Sequence, residues 1–195
     1  MKKGKQLWVL AGGNGAGKST FYKTRLEPLG MSFVNADILA KQLYPEQPEQ
    51  HSYDAAKIAK VMRMQLLQQG RTFCFETVFS HPSKIDFIAQ AKAIGYEIVL
   101  VFIHLDEVSL NQARVAQRVS EGGHHVPEEK VSSRIPRVLQ NIQQVLPLCN
   151  HCYLLDNSRL DNPFQQIAEI HNGKSSLKVA LLPEWAENLL INYLD

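Results

Sequence analysis

The chain has 195 residues, of which 45% are hydrophobic and 21% are charged, as is usual for a globular protein. This composition excludes a disordered chain and a collagen-like chain, and three cysteines exclude a disulfide scaffold and fit a reducing compartment. The net charge of +2 argues against binding nucleic acid through bulk charge. No apolar run approaches the length of a membrane span. We therefore expect a single cytoplasmic domain over residues 1–195, with no membrane partner.

Short apolar segments alternate along the chain with longer amphipathic ones. The predicted strands are 7–11, 32–37, 72–77, 97–105, 152–155 and 177–182. The predicted helices are 18–29, 52–69, 83–94, 107–119, 128–145, 162–171 and a last one from 183. This alternation predicts an α/β fold, with a mostly parallel sheet and helices on both of its faces.

A glycine-rich segment follows the first predicted strand and opens the first predicted helix. Residues 12–19 match G-x-x-x-x-G-K-[ST] at every required position. In such a loop the backbone N–H groups surround a phosphate, the lysine reaches the β- and γ-phosphates, and the serine hydroxyl holds Mg²⁺. The motif predicts a three-layer P-loop NTPase sandwich that binds a nucleoside triphosphate and Mg²⁺, with Lys18 catalytic and Ser19 as metal ligand. The expected nucleotide-binding residues are Gly13, Asn14, Gly15, Ala16, Gly17, Lys18, Ser19 and Thr20.

Two carboxylates end predicted strands, at the edge of a parallel sheet where ligands collect. Asp37 can accept a hydroxyl proton during phosphoryl transfer, help to hold Mg²⁺, or cap the helix that follows. Glu76 can position the acceptor, hold metal-bound water or act as the Walker B acid, and Thr77 beside it can add a hydrogen bond. We therefore expect Asp37, Glu76 and Thr77 to contact the acceptor, and Asp37 to be catalytic.

Arginines lie in pairs on two predicted helices that a glycine-containing loop joins. Arg114 and Arg118 are four residues apart, and Arg134 and Arg137 are three apart, so each pair shares a helix face. A guanidinium pairs bidentately with phosphate oxygens and keeps its charge. The pattern predicts a helical lid over the triphosphate from about residue 114 to 137, with Arg118 and Arg134 catalytic.

Two further signals are less specific. His124, in the loop of the predicted lid, either contacts the phosphate or acceptor or is solvated. Cys149 and Cys152 form a C-x-x-C pair, which occurs in redox and zinc sites. Because a zinc site needs four ligands and the sequence has no second such pair, we favour a structural role for both cysteines.

Together these residues resemble the zeta-toxin family of P-loop kinases, in a chromosomal branch often labelled as predicted ABC-type ATPases. The resemblance covers nearly the whole chain. It rests on residues 11–20, Asn35-Ala36-Asp37, Phe75-Glu76-Thr77, 114–119, the Gly-Gly-His-His-Val-Pro segment at 122–127 and Asp156-Asn157-Ser158. The chain departs from the family pattern at Ile135-Pro136 and after Glu76, where the acceptor is expected.

The resemblance implies an ATP-dependent kinase that phosphorylates the 3′-hydroxyl of UDP-N-acetylglucosamine. Asp37 would be the base, Lys18, Arg118 and Arg134 would stabilise the transferring phosphoryl group, and Glu76 would contact the acceptor. A small helical antitoxin that blocks the ATP site is also implied. Two other functions stay open: a polynucleotide 5′-kinase, against which the near-neutral charge argues, and a nucleotide-binding switch that transfers nothing.

Overall fold

The protein is described by a computed structural model that covers residues 4–106, 108–120 and 128–194. Its strands are β1 (Gln6–Ala11), β2 (Phe33–Val34), β3 (Phe73–Thr77), β4 (Glu97–His104), β5 (His151–Asp156), β6 (Gln165–His171) and β7 (Lys174–Leu177). They form a seven-stranded sheet in the order β2-β3-β1-β4-β5-β6-β7. The strands from β2 to β5 pair in parallel, whereas β6 and β7 are antiparallel additions at one edge.

The helices from α1 to α6 lie between strands in the chain, as parallel pairing requires, and α7 follows the last strand. They are α1 (Lys18–Phe21), α2 (Ala36–Leu43), α3 (Ser52–Gln68), α4 (Ser83–Ala93), α5 (Val108–Ser120), α6 (Glu128–Val145) and α7 (Glu184–Leu190). The predicted helix 18–29 is subdivided, because α1 continues as a π-helical segment, Tyr22–Leu26, and a 3₁₀ turn, Glu27–Leu29. Among the residues that the structure describes, no helix is both long and apolar enough to cross a membrane.

Both faces of the sheet are buried, because successive side chains of a strand point to opposite faces. In β1, Leu7 and Val9 belong to one core cluster and Leu10 belongs to another. The first cluster includes buried residues of α3, α4, α6 and α7, and the second includes Tyr22 and Leu26 from the segment after α1. The predicted α/β architecture, with helices on both faces of a mostly parallel sheet, is therefore confirmed.

Two predicted elements near the C-terminal end are wrong. Residues 162–171 do not form a helix, because β6 pairs along the free edge of β5 and buries Ile167, Ala168 and Ile170. The predicted strand 177–182 is displaced, since β7 ends at Leu177 and pairs with β6. In both cases a neighbouring strand supplies the hydrogen-bond partners, and the local pattern of side chains does not reveal that partner.

Candidate active site

The phosphate loop joins the end of β1 to the start of α1, and its path requires glycine. Gly12 has a φ of 151°, and a Cβ there would collide with the carbonyl oxygen of Ile103 in β4. Gly17 has a φ of 95°, and a Cβ there would lie 2.6 Å from Nδ2 of Asn157. Because a side chain at either position would meet neighbouring atoms in a strained backbone conformation, only glycine allows the loop to close against β4 and the segment after β5.

Lys18, Ser19 and Glu76 lie together beneath the loop. The Lys18 side chain is only 6% exposed, and its Nζ donates a 2.8 Å hydrogen bond to the Gly13 carbonyl. The same Nζ lies 3.7 Å from Oε1 of Glu76. The Ser19 hydroxyl donates to Oε2 of Glu76 at 2.7 Å. The loop and the end of β3 are thus connected by an ion pair and a hydrogen bond.

Asn35 connects this cluster to α2. Its Nδ2 donates a 2.7 Å hydrogen bond to Oε2 of Glu76. Its Oδ1 accepts from the backbone N–H groups of Asp37 and Ile38 at 2.8 and 3.1 Å, which makes Asn35 the N-cap of the helix. The cap that the sequence left open for Asp37 is therefore supplied by Asn35.

Asp37 lies in the first turn of α2 with an exposed side chain. Within the described residues its carboxylate makes no hydrogen bond or ion pair. Together with Glu76 and Thr77 it lines a cavity of about 220 Å³. The Thr77 hydroxyl accepts a 3.1 Å hydrogen bond from the Phe79 N–H group, which holds the turn after β3. We name this space, beside the phosphate loop, the Asp37 cavity.

A larger cavity, of about 510 Å³, opens over the phosphate loop itself. Glu76 lines this cavity as well as the Asp37 cavity. The other lining residues come from the loop, from α1 and the segment after it, from α5 and from the segment after β5: Gly15, Gly17, Lys18, Ser19, Thr20, Lys23, Arg114, Gln117, Asn157, Arg159, Leu160, Pro163 and Phe164. We name it the loop cavity.

The predicted lid contacts the phosphate loop through Arg134. Arg134, on α6, donates a 3.2 Å hydrogen bond from Nη1 to Oδ1 of Asn14. Arg137, one turn later, is exposed and bonds to the Ser133 carbonyl of its own helix. Arg118 belongs to α5, but its side chain lies outside the described part of the molecule. His124 also lies outside it.

Several residues of the two cavities carry no signal in the sequence analysis beyond the resemblance. Asn157 donates a 2.9 Å hydrogen bond to the Ala16 carbonyl and accepts one of 3.1 Å from the Phe164 N–H group. It therefore holds the phosphate loop against the segment after β5. Arg63 and Lys84 line the Asp37 cavity from α3 and α4. The sequence offers no local sign of this, because each is one of many cations on an amphipathic helix.

Cys149 and Cys152 are buried free thiols. Burial raises the pKa of Cys149 to about 12 and the pKa of Cys152 well above its usual range, so both stay protonated at neutral pH. Within the described residues, no group of three or more His, Cys, Asp or Glu side chains could hold a metal ion. The structural role that the sequence favours for both cysteines stays a prediction.

A family model described as an AAA domain (AAA_33) matches residues 7–141. An uncharacterized protein of Haemophilus influenzae (strain ATCC 51907 / DSM 11121 / KW20 / Rd) is 31% identical over 137 residues. That alignment covers 67% of this chain and 97% of the relative.

Solved structures with the same fold include the AvrRxo1-ORF1:AvrRxo1-ORF2 complex and the PezAT chromosomal toxin–antitoxin system.

 The AvrRxo1-ORF1:AvrRxo1-ORF2 complex with sulphate ions superposes with a TM-score of 0.75 at 20% identity, and the same complex with ATP gives 0.74. Each of these matches covers 100% of this chain and 66% of the other, so the chain spans just under two thirds of that protein. The PezAT chromosomal toxin–antitoxin system of Streptococcus pneumoniae gives a TM-score of 0.66 at 16% identity, covering 86% of this chain and 72% of the other. At these identities the likeness establishes a shared P-loop kinase-like fold.

Proposed function

We propose that this chain, which belongs to the AAA-domain family AAA_33, is an ATP-dependent kinase of the zeta-toxin type. It transfers the γ-phosphoryl group of ATP to a hydroxyl of a nucleotide sugar such as UDP-N-acetylglucosamine. One observation carries the proposal: Glu76 lines both the loop cavity and the Asp37 cavity. A nucleotide switch needs only the first of these spaces, whereas transfer to an alcohol needs a second space beside it, with a base in it.

ATP binds in the loop cavity in this proposal. Backbone N–H groups from Gly13 to Thr20 surround the phosphates, and Lys18 moves its hydrogen bond from the Gly13 carbonyl to the β- and γ-phosphates. Arg114 and Arg159 line the same cavity and supply planar cations for the nucleotide. Phe164 lines it too, next to Gly17, and offers an apolar surface to the base.

Ser19 and Glu76 are the residues that would hold Mg²⁺. A hydroxyl and a carboxylate are the hard oxygen ligands that this ion prefers, and the two already meet at 2.7 Å. Their chemistry therefore fits the ion. When bound, Mg²⁺ supplies charge neutralisation at the β- and γ-phosphates. Asn35 holds the Glu76 carboxylate in position through its own 2.7 Å hydrogen bond.

Asp37 accepts the proton of the attacking hydroxyl. Its carboxylate faces the Asp37 cavity without another partner in the described chain, so it is available to a hydroxyl bound there. Lys18, Arg118 and Arg134 stabilise the charge on the transferring group, and the helices of the lid, from about residue 114 to 137, exclude water during transfer. Glu76, Thr77 and His124 complete the acceptor side.

The resemblance also leads us to propose a small helical antitoxin as partner. PezAT is described as a toxin–antitoxin system, and AvrRxo1-ORF1 was solved together with AvrRxo1-ORF2. For this chain, a partner of that kind would cover the loop cavity and compete with ATP. Saturating ATP should then weaken binding of the partner, whereas binding that is indifferent to ATP contradicts this mode of inhibition.

A transfer assay tests the proposed function. The protein is incubated with Mg·ATP and a panel of UDP-sugars, nucleosides and 5′-hydroxyl oligonucleotides, and the products are identified by mass spectrometry. We expect a phosphorylated UDP-sugar, absent with Lys18→Ala, because that variant lacks the cation at the β- and γ-phosphates. A phosphorylated oligonucleotide instead indicates a polynucleotide 5′-kinase. ATP binding with no product from any acceptor indicates a nucleotide switch.

A further inference from the structure

The Asp37 cavity contains cations as well as carboxylates. Asp37 and Glu76 contribute the carboxylates, and Arg63 on α3 and Lys84 on α4 contribute the cations. The proposed function uses the carboxylates and leaves both cations without a role. The Asp37 cavity has a volume of about 220 Å³, which is several times the roughly 30 Å³ that one water molecule occupies in the liquid. A polar group of a small molecule therefore fits within the cavity.

Arg63 is buried without an anionic partner. Its side chain is 8% exposed, and its Nε makes no hydrogen bond within the described residues. Its guanidinium lies over the rings of Phe75 and Phe87, with 5.2 and 5.6 Å from Cζ to the ring centroids. The two rings hold the plane of the guanidinium by cation–π contact, which leaves the N–H groups at its edge for a hydrogen-bond acceptor.

Lys84 lies close enough to Arg63 for the two charges to repel. Burial lowers the pKa of Lys84, and the neighbouring charges of Arg63 and Lys60 lower it further. The pKa of Arg63 is also lowered, by burial. No carboxylate in the described parts of the chain forms an ion pair with either residue. An oxyanion placed between them would offset this repulsion and raise the pKa of Lys84.

Arg63 is buried and Lys84 is partly buried, and the lack of an ion-pair partner for either in the described chain reduces stability. Leaving a charge buried and uncompensated is among the more destabilising arrangements in proteins. A planar guanidinium with a neighbouring ammonium is, by contrast, a common arrangement for binding phosphate or carboxylate. The two cations of the Asp37 cavity therefore fit an oxyanion.

We propose that Arg63 and Lys84 form a subsite for an anionic group of the acceptor, a phosphate or a carboxylate. This inference rests on the proposed function in taking the Asp37 cavity as the acceptor site. Bound there, the anionic group holds the acceptor so that its hydroxyl faces Asp37. The subsite selects charged acceptors over neutral alcohols, and the diphosphate of a nucleotide sugar satisfies that requirement.

A binding experiment tests the subsite without any phosphoryl transfer. The full chain is saturated with Mg²⁺ and a non-hydrolysable ATP analogue, so that the phosphate loop is occupied. It is then titrated with glucose 6-phosphate, gluconate, glucose and inorganic phosphate at constant ionic strength, and binding is followed by calorimetry and thermal shift. The first two probes carry a phosphate and a carboxylate, and glucose has neither, so the series distinguishes the two sources of the anion.

We expect at least one anionic probe to bind, and to bind at least about tenfold more tightly than glucose, as a charge-assisted contact implies. In Lys84→Met and Arg63→Met this advantage should fall by at least about tenfold. Lys57→Met is the matched control, because Lys57 lies on α3, is exposed and pairs with Asp54. If Arg63→Met does not fold, Lys84→Met decides, since Lys84 is only partly buried.

The inference is overturned if no anionic probe binds, if glucose binds as well as the anions, or if Lys84→Met retains the full preference. The proposed function fails separately, through the absence of transfer in the acceptor panel. Anion binding that depends on Lys84, combined with no transfer, would support the subsite and contradict the proposed kinase activity. Transfer to neutral sugars that is unaffected by Lys84→Met would support the proposed kinase activity and contradict the subsite.

Discussion

The Ser19 hydroxyl donates a 2.7 Å hydrogen bond to Oε2 of Glu76, although 57 positions separate the two residues in the chain. Ser19 lies in the first turn of α1, after β1, and Glu76 lies near the end of β3. Because β1 and β3 are parallel neighbours, their carboxyl ends meet at one edge of the sheet. This pairing brings the phosphate loop and the proposed acceptor site to the same carboxylate.

Glu76→Gln should reduce phosphoryl transfer by about a hundredfold or more. The amide keeps the size of the side chain but removes the charge next to Lys18 and a hard ligand for Mg²⁺. Initial rates measured over a Mg²⁺ titration check this, and the variant should require more Mg²⁺. Glu97→Gln is the control, because Glu97 lies at the opposite end of the sheet, where β4 begins. Equal losses in both variants would contradict the role of Glu76.

Arg134→Lys should reduce transfer by about a hundredfold, with a smaller effect on ATP binding. Lysine keeps the charge but loses the fork that pairs with phosphate oxygens, and with it the contact to Asn14. Arg137→Lys on the same helix is the matched control, since that side chain is exposed and bonds to its own helix. Single-turnover rates distinguish the two. If Arg137→Lys is the more impaired variant, our assignment of Arg134 is wrong.

Asn157→Ala should lower the free energy of unfolding by about 1–3 kcal/mol and weaken ATP binding. The substitution leaves the Ala16 carbonyl and the Phe164 N–H group without their partner, and unsatisfied buried groups have a cost of this size. Urea unfolding with and without ATP measures both effects. The exposed Asn162 provides the control variant Asn162→Ala. An Asn157→Ala protein with normal stability and ATP affinity would show that the loop does not need this support.

Stability should depend on pH through His104. Burial lowers the pKa of His104 from its ordinary 6.5 to about 4, with Asp156 opposing the shift, and its ring packs 4.7 Å from that of Trp185. Because the folded-state pKa lies below the unfolded one, the unfolded chain binds this proton more readily between pH 6.5 and 4. Stability is therefore fully present above pH 6.5 and falls with the pH, by about 2 kcal/mol between pH 7.5 and 5.

Urea titrations of the wild type and of His104→Gln at pH 7.5 and 5 measure the contribution of His104 to the free energy of unfolding. The variant should lose about 2 kcal/mol less than the wild type over that interval, whatever its absolute stability, because glutamine does not titrate. Using the difference removes the contributions of the other titrating groups, which are common to both proteins. Parallel pH profiles in the two proteins would show that His104 does not carry the effect.

The parts of this fold that local chemistry determines could be read from the sequence. The phosphate loop is one, because its glycines and Lys18 act within a few residues of one another. The central strands are another, since continuous apolar runs such as 98–103 can only be satisfied between two layers. β6 could not be predicted in the same way. Asn162-Pro163 is typical of a helix start, but the free edge of β5 determined the outcome.

The same distinction holds for the candidate site, where local sequence predicts some of the residues and not others. Asp37 and Glu76 could be predicted as site residues, because each follows an apolar run that predicts a strand. Arg63 could not be assigned, since its burial depends on Phe75 and Phe87 from two other elements. The capping role of Asn35 could not be predicted, because it depends on α2 beginning at Ala36. The sequence predicts a strand over residues 32–37 and therefore a later start for this helix.

The most direct test of the proposed kinase function is the transfer activity of Asp37→Asn. We would measure the rate of phosphoryl transfer to the best acceptor of the panel, and the affinity for ATP, in the wild type, in Asp37→Asn and in Asp54→Asn, whose exposed carboxylate lies on α3. We expect Asp37→Asn to bind ATP normally and to transfer at least about a hundredfold more slowly, while Asp54→Asn behaves as the wild type. Full transfer by Asp37→Asn would contradict the assignment of Asp37 as the base.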